Sequence, residues 1–191
     1  MIKKLIILLL SFFDFFHQRK IIKFLSKKNL TKIDILFDVG AHKGESIELF
    51  LKNMNVKKII SFEPSPINFL RLKNIKEHYI KKFNKTDIII ENIGLGNENK
   101  EINFKQFEES SSSTMKEIDE ESSYFKKKFN LLNLFSKKKK YQILKVEIIT
   151  LEDYMNLNNI NKISLLKIDT EGYEYEVLKG LKKKIQLVDM I

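Results

Sequence analysis

Cysteine is absent from the chain. That excludes a disulfide scaffold and thiolate metal sites, and it makes the cytoplasm the default compartment. Arginine is nearly absent too, with only Arg19 and Arg71 among 35 basic residues. Arginine is the side chain suited to bidentate phosphate and guanine contacts. The formal net charge of +10 is carried almost wholly by scattered lysine. It therefore reads as solvated surface rather than a nucleic-acid footprint, and no nucleic-acid partner is expected. The apolar run at the start, Leu5 to Phe13, falls short of the roughly 20 residues that a bilayer span needs. Glycine is also scarce, with 6 in the chain, so where each one falls carries information.

What is present describes an ordinary globular protein. A chain of 191 residues, 43% hydrophobic and 31% charged, can bury a sizeable core in one domain. The opening stretch "MIKKLIILLLSFFDFFHQRK" resembles a signal peptide through Lys3, Lys4 and its apolar run. It lacks a small-residue cleavage site, and Asp14 interrupts the run. Two main readings stay open. In one, residues 1–20 form an interfacial helix with Phe12, Phe13, Phe15 and Phe16 in the acyl boundary, in peripheral contact with the inner face of the membrane. In the other, the helix packs on the domain; an uncleaved anchor is a third reading. Residues 1–31 are accordingly set apart as an apolar and basic helical segment, and 32–191 as the main domain.

From Ile33 the pattern alternates strand and helix. "IDILFDVG" is an apolar run of strand length, followed by Ile47, Phe50, Leu51 and Met54 at helical spacing. "KKIISFEP" is a second strand run. Ser65 then reads as an N-cap with Pro66 at the first helical position, and Leu70, Ile75 and Tyr79 support a helix that ends near Phe83. "TDIIIENIG" is a third strand and "ISLLKIDTEG" a fourth parallel-type strand. "YEYEVLKGLKK" reads as a helix and "IQLVDMI" as the beginning of a fifth strand. The fold class expected is α/β, a Rossmann-like doubly wound and mostly parallel sheet. An antiparallel and helical insertion interrupts it between the third and fourth parallel strands. "KEINFKQF" there alternates like a strand with one solvated face. The acidic stretch through Ser110–Ser113 reads as a loop, either a lid or a plain linker, and residues 124–140 as a basic amphipathic helix. "KVEIITLEDYM" resumes as a strand, and Thr150 with Asp153 resembles a capping box. A doubly wound domain would normally continue past Ile191, so C-terminal strands are expected to be missing.

Open parallel sheets bind ligands beyond the carboxyl ends of their strands. Here those ends are Asp38 to Gly44, Glu63, Asn92 to Gly96 and Asp169 to Gly172, and five of the six glycines fall among them. Glu63 lies 25 positions after Asp38, close to the spacing at which an acid takes ribose hydroxyls. Together they describe a site for an adenosine-containing cofactor. Gly40-Ala41-His42-Lys43-Gly44 departs from the dinucleotide pattern of three glycines. Asp38 is better placed for the ammonium of a methionine-like group than for a pyrophosphate. The balance favours S-adenosyl-L-methionine, with a nicotinamide oxidoreductase or a non-catalytic, membrane-associated cofactor-binding module as the alternatives. No metal is expected from two carboxylates at one strand end. His17 and His78 read as surface helix residues.

At this point a resemblance becomes specific. "FDVGAHKGES", "SFEPSP", "NIGLGNENKEINF", the Ser110–Ser113 run, "VEIITLEDY" and "LLKIDTEGYEYEVLKG" occur in that order. Together they resemble the FkbM-type methyltransferase family over about residues 33–191. The resemblance implies a Rossmann-like fold, S-adenosylmethionine as donor, and transfer to a hydroxyl oxygen of a sugar, glycolipid or secondary metabolite. The acceptor would be a small molecule or glycan- or lipid-linked. Carried over by position, Asp38, Gly40, Ala41, His42 and Gly44 would wrap the methionine and ribose side. Glu63 would hold the ribose hydroxyls, Pro64 and Ser65 would shape the adenine side, and Asn92 and Ile93 would lie near the adenine. Asp169 and Glu171 would face methyl transfer. Asp169, Glu171 and His42, in that order, are the candidates for a general base. His42 departs from the family pattern, which commonly has Asn there, and the stretch 124–140 is long for its place.

Overall fold

The computed structural model describes residues 16–28, 30–83, 85–107 and 141–191. The serine run at 110–113, the basic stretch 124–140 and the apolar run from Leu5 to Phe13 lie outside the described residues. Residues 16–27 form a helix, α1. The chain then alternates through β1 (Lys32–Val39), α2 (Glu45–Asn53), β2 (Asn55–Phe62), α3 (Pro66–Lys82) and β3 (Asp87–Glu91). Next come β4 (Gly94–Gly96), β5 (Lys100–Phe107), β6 (Tyr141–Thr150), α4 (Leu151–Leu157), β7 (Leu165–Ile168) and α5 (Glu174–Lys179). A 3-10 helix over Lys182–Leu187 follows.

Four strands form one sheet in the order β3-β2-β1-β7, and every pair in it is parallel. Apolar side chains of β1 pack into two core clusters. Ile33 and Leu36 join one core cluster with Ile47 and Phe50 of α2 and Leu72 and Tyr79 of α3. Phe37 and Val39 join the other, with Leu151, Tyr154 and Met155 of α4 and Val177 of α5. Burial on both faces is why these strands read as nearly unbroken apolar runs. The expected parallel sheet is thus observed, and it puts the ends of β1, β2 and β7 side by side. The insertion between the third and fourth parallel strands is a second sheet ordered β4-β6-β5, with β4 and β6 parallel and β5 and β6 antiparallel.

Local signals explain most element boundaries. Ser65 caps α3, its Oγ accepting from the Asn68 N–H at 3.2 Å, with Pro66 at the first turn. Thr150 caps α4 by accepting from the Asp153 N–H at 3.0 Å. The reciprocal half of that capping box is supplied from elsewhere. Asn99 Oδ1 accepts the Thr150 N–H, and Asn99 Nδ2 donates to Asp153 Oδ2. Two expectations change. Leu70 does not hold α3 to the core: it is exposed, and the buried face is Asn68, Leu72 and Tyr79. "IQLVDMI" is not a strand from its start. Its first residues close a 3-10 helix, and only Val188 makes a parallel bridge, to Ile163. Lys182, at φ +46°, opens that 3-10 helix three residues ahead of the run.

Candidate functional site

A cleft of about 340 Å³ opens over the carboxyl ends of β1, β2 and β7. Its floor is the loop after β1. Gly40 sits at φ +76°, and a Cβ there would lie 2.0 Å from the Asp169 carbonyl oxygen, so only glycine lets the β1 and β7 loops meet. His42 follows in the left-handed region at φ +50° and Gly44 at +91°. The N–H groups of Gly40 and Ala41 both reach the Phe62 carbonyl oxygen, at 3.0 and 3.1 Å. This ties the loop to the end of β2.

Glu63 completes that tie. Its Oε2 accepts from the His42 N–H at 2.8 Å and its Oε1 from the Ser65 N–H at 3.0 Å. The side chain is buried, and burial pushes its carboxyl above the ordinary value; the backbone N–H groups of Ser65 and His42 oppose the rise. Each carboxylate oxygen keeps acceptor capacity beyond one hydrogen bond, and Glu63 lines the cleft. Asn92 supports the same loop from just past the end of β3, its Nδ2 donating to the carbonyl oxygens of Glu63 and Pro64 at 2.9 and 3.2 Å.

The opposite wall comes from β7 and the turn after it. The strand ends at Ile168, leaving Asp169 exposed on the rim, and Glu171 and Gly172 follow at φ +53° and +103°. Glu174 braces this turn. Its Oε1 accepts from the N–H groups of Thr170 and Gly172 and from the Thr170 hydroxyl, at 3.0 to 3.1 Å. Asp169 and Glu171 both line the cleft.

Asp38 lies beneath the cleft. Parallel pairing puts it directly beside Lys167, and the Lys167 ammonium sits 2.9 Å from Asp38 Oδ1. Neither Asp38 oxygen accepts a well-directed hydrogen bond, and the side chain is fully buried. Lys167 also donates to the Gly40 carbonyl oxygen at 2.9 Å and reaches the cleft itself. At the β1 side, Glu45 Oε1 stands 3.1 Å from His42 Nδ1, and its Oε2 accepts from the Lys43 N–H at 3.1 Å. Burial alone would raise the Glu45 carboxyl; hydrogen bonds from His42, its own N–H and Lys43 outweigh that and bring it down to about 2.

Of the residues named from sequence, Gly40, Ala41, His42, Glu63, Pro64, Asp169 and Glu171 line one cleft. Asp38, Gly44, Ser65, Asn92 and Ile93 do not line it. Asp38 lies below it beside Lys167, Asn92 and Ser65 brace the Glu63 loop, and Gly44 starts α2. Sequence reasoning missed Lys167, Glu45, Thr170 and, from α1, His17 and Gln18, all of which line the cleft. A lone lysine inside the apolar "LLKI" run was the available signal for Lys167. Nothing local places α1 at the cleft, because its packing is a tertiary fact. His17 is exposed but at the cleft mouth; His78 is exposed on α3. The residues fit an adenosyl and amino-acid ligand: a buried carboxylate faces the cleft, flanked by acids at positions 45, 169 and 171 that suit a cationic group. Among the described residues no group of three or more His, Asp or Glu is placed to hold a metal ion.

Residues 38–191 match the model of the methyltransferase FkbM domain. No curated protein matches the chain. A solved structure, that of methyltransferase FkbM from Methylobacillus flagellatus KT, superposes with a TM-score of 0.51 at 18% identity. The match covers 80% of this chain and 30% of that one, and it shows a shared fold.

Proposed function

Because the chain belongs to the FkbM methyltransferase domain family, we propose that it transfers a methyl group from S-adenosylmethionine to a hydroxyl oxygen on a sugar, glycolipid or secondary metabolite. The observation that carries this reading is Glu63. It is a buried carboxylate at the end of β2, held by two loop N–H groups and facing the cleft opposite the acidic 169–171 turn. Glu63 would hold the ribose hydroxyls. Gly40 and Ala41 would line the amino-acid side, and Pro64 and Asn68 the adenine side. Lys167 would meet the ligand's carboxylate, with Asp38 beneath it as counter-charge.

Bound S-adenosylmethionine supplies an already activated sulfonium methyl. The protein's work is therefore alignment and proton removal. Asp169 is exposed at the rim, 3.9 Å from Lys167 Nζ, and would take the acceptor hydroxyl's proton. Glu171 is the second candidate for that proton, and His42 the third, its ring already engaged with Glu45.

Isothermal titration with S-adenosylhomocysteine tests the donor. Binding is expected, and Glu63→Ala should weaken it by roughly tenfold or more, the loss of one to two charge-assisted hydrogen bonds. Binding of NADH but not S-adenosylhomocysteine would overturn the donor, and an unaffected Glu63→Ala would overturn the site. Radiolabelled transfer to hydroxyl-bearing acceptors should fall sharply in Asp169→Asn while donor binding stays intact.

A further inference from the structure

We propose that the outer face of α1 docks on an anionic lipid bilayer and thereby holds the cleft mouth at that surface. The helix has two distinct faces. Ile21, Ile22 and Leu25 point inward, Leu25 being buried, and pack into the core cluster of β1, α2 and α3. At 100° per residue, Phe16, Lys20, Lys23, Phe24 and Lys27 fall on the opposite side, and all five are exposed. Phe16 and Phe24, two turns apart, are 46% and 53% exposed. Single exposed apolar residues are ordinary, but a stripe of two aromatics framed by lysines is the pattern of an interfacial helix.

The charge is complementary to an anionic surface and to nothing zwitterionic. Residues 16–28 hold Arg19, Lys20, Lys23, Lys27 and Lys28 and no Asp or Glu. Several exposed lysines elsewhere pair with acids. Lys52 meets Glu48, Lys57 meets Asp34, and Lys145 meets Glu101, all within 2.8 Å.

Position links the surface to the site. His17 and Gln18, on the first turn of the same helix, line the cleft. A bilayer engaged by Lys20, Lys23 and Phe24 would lie alongside the cleft mouth, so an acceptor anchored in lipid could reach it without leaving the surface. Docking needs neither the donor nor the reaction proposed above, so the two can fail independently.

Flotation of the full-length protein with vesicles tests this. Wild type should float with phosphatidylcholine–phosphatidylglycerol vesicles at low salt, not with phosphatidylcholine alone, and should be released at high salt. The K20E/K23E/K27E variant should lose binding by roughly tenfold or more, and Phe24→Ser should lose part of it. The K73E/K81E/K85E variant carries the same charge change at exposed positions outside α1 and should float like wild type. Circular dichroism and a cooperative thermal transition establish that each variant is folded. Every variant keeps residues 1–15, so a difference between them reports on α1. Wild type that fails to float, a K20E/K23E/K27E variant that floats like wild type, or equal loss in both triple variants would each overturn the proposal. A salt-resistant dimer dissolved by Phe24→Ser would also overturn it, with a second copy as the true occupant.

Discussion

Asp38 and Lys167 form one unit, and its behaviour follows from burial. Asp38 is fully buried and Lys167 about one-fifth exposed, with 2.9 Å between the charged atoms. Truncating one partner of such a pair leaves an uncompensated buried charge, which typically costs about 3–5 kcal/mol. Lys167→Met should therefore destabilise the protein by about that much in urea denaturation. Adding Asp38→Asn should restore much of the loss, because the amide carries no charge to strand. If the double variant is no more stable than Lys167→Met, the pair is not what holds the β1 and β7 ends together. Glu45 makes a pH-dependent prediction. Its carboxyl is depressed to about 2 in the folded state, against 4.5 for the free group. A depressed carboxyl contributes stability that is present above 4.5 and is lost as the pH falls toward 2. The side chain is about half exposed, so screening reduces the effect to about 0.5–1 kcal/mol. Glu45→Gln should be less stable than wild type by that amount at pH 7, and the gap should close below pH 4.5. A gap independent of pH would mean that Glu45 acts through packing rather than charge.

The ends of the elements carry the next set of effects. Ser65 supplies the one side-chain cap of α3, the longest helix among the described residues at 17 residues. Ser65→Ala should cost about 1 kcal/mol and lower Tm by roughly 2–4 °C, as cap deletions do in a chain of this size. Its N–H would still donate to Glu63, so donor binding should change little. A large loss of S-adenosylhomocysteine binding would show instead that the cap sets the Glu63 loop. Caps of this kind are local chemistry, which is why Ser65–Pro66 and Thr150 were legible in the sequence. So were β1, β2 and β7, whose burial on both faces leaves unmistakable apolar runs. What was not legible depends on partners distant in sequence. Leu70 and Leu72 both suit a helix, and only the sheet beneath decides which one is buried. Asn99 completes the cap of α4 from 51 positions away. Lys167 becomes part of the site only through its parallel pairing with Asp38. The acids at 63 and 169–171 were found because strand ends converge by topology. The division of labour among Glu171, Glu174 and Asp169 depended on where β7 stops, and periodicity does not fix that.

At the scale of the whole molecule, the question is whether α1 belongs to the body that binds ligand. Its sequence set it apart, and the matched family domain begins only at residue 38. The packing joins it to the rest. Leu25 is 4% exposed and shares a core cluster with Ile33, Leu36, Phe50 and Val56. The Leu30 N–H closes on the Leu25 carbonyl oxygen at 3.0 Å, turning the chain directly into β1. A buried leucine in that setting contributes both its transfer free energy and the contacts of the space it fills. Leu25→Ala should thus cost about 2–4 kcal/mol. The loss should appear in a single cooperative transition, and amides across 21–25 should exchange only with global unfolding. Because His17 and Gln18 ride on the same helix and line the cleft, weaker S-adenosylhomocysteine binding should accompany the lost stability. An appended helix would behave differently: Leu25→Ala would cost under about 0.5 kcal/mol, the 21–25 amides would exchange early, and donor affinity would not move. Measuring denaturation, exchange and donor affinity on this one variant decides whether the N-terminal helix is a wall of the site or an attachment to it.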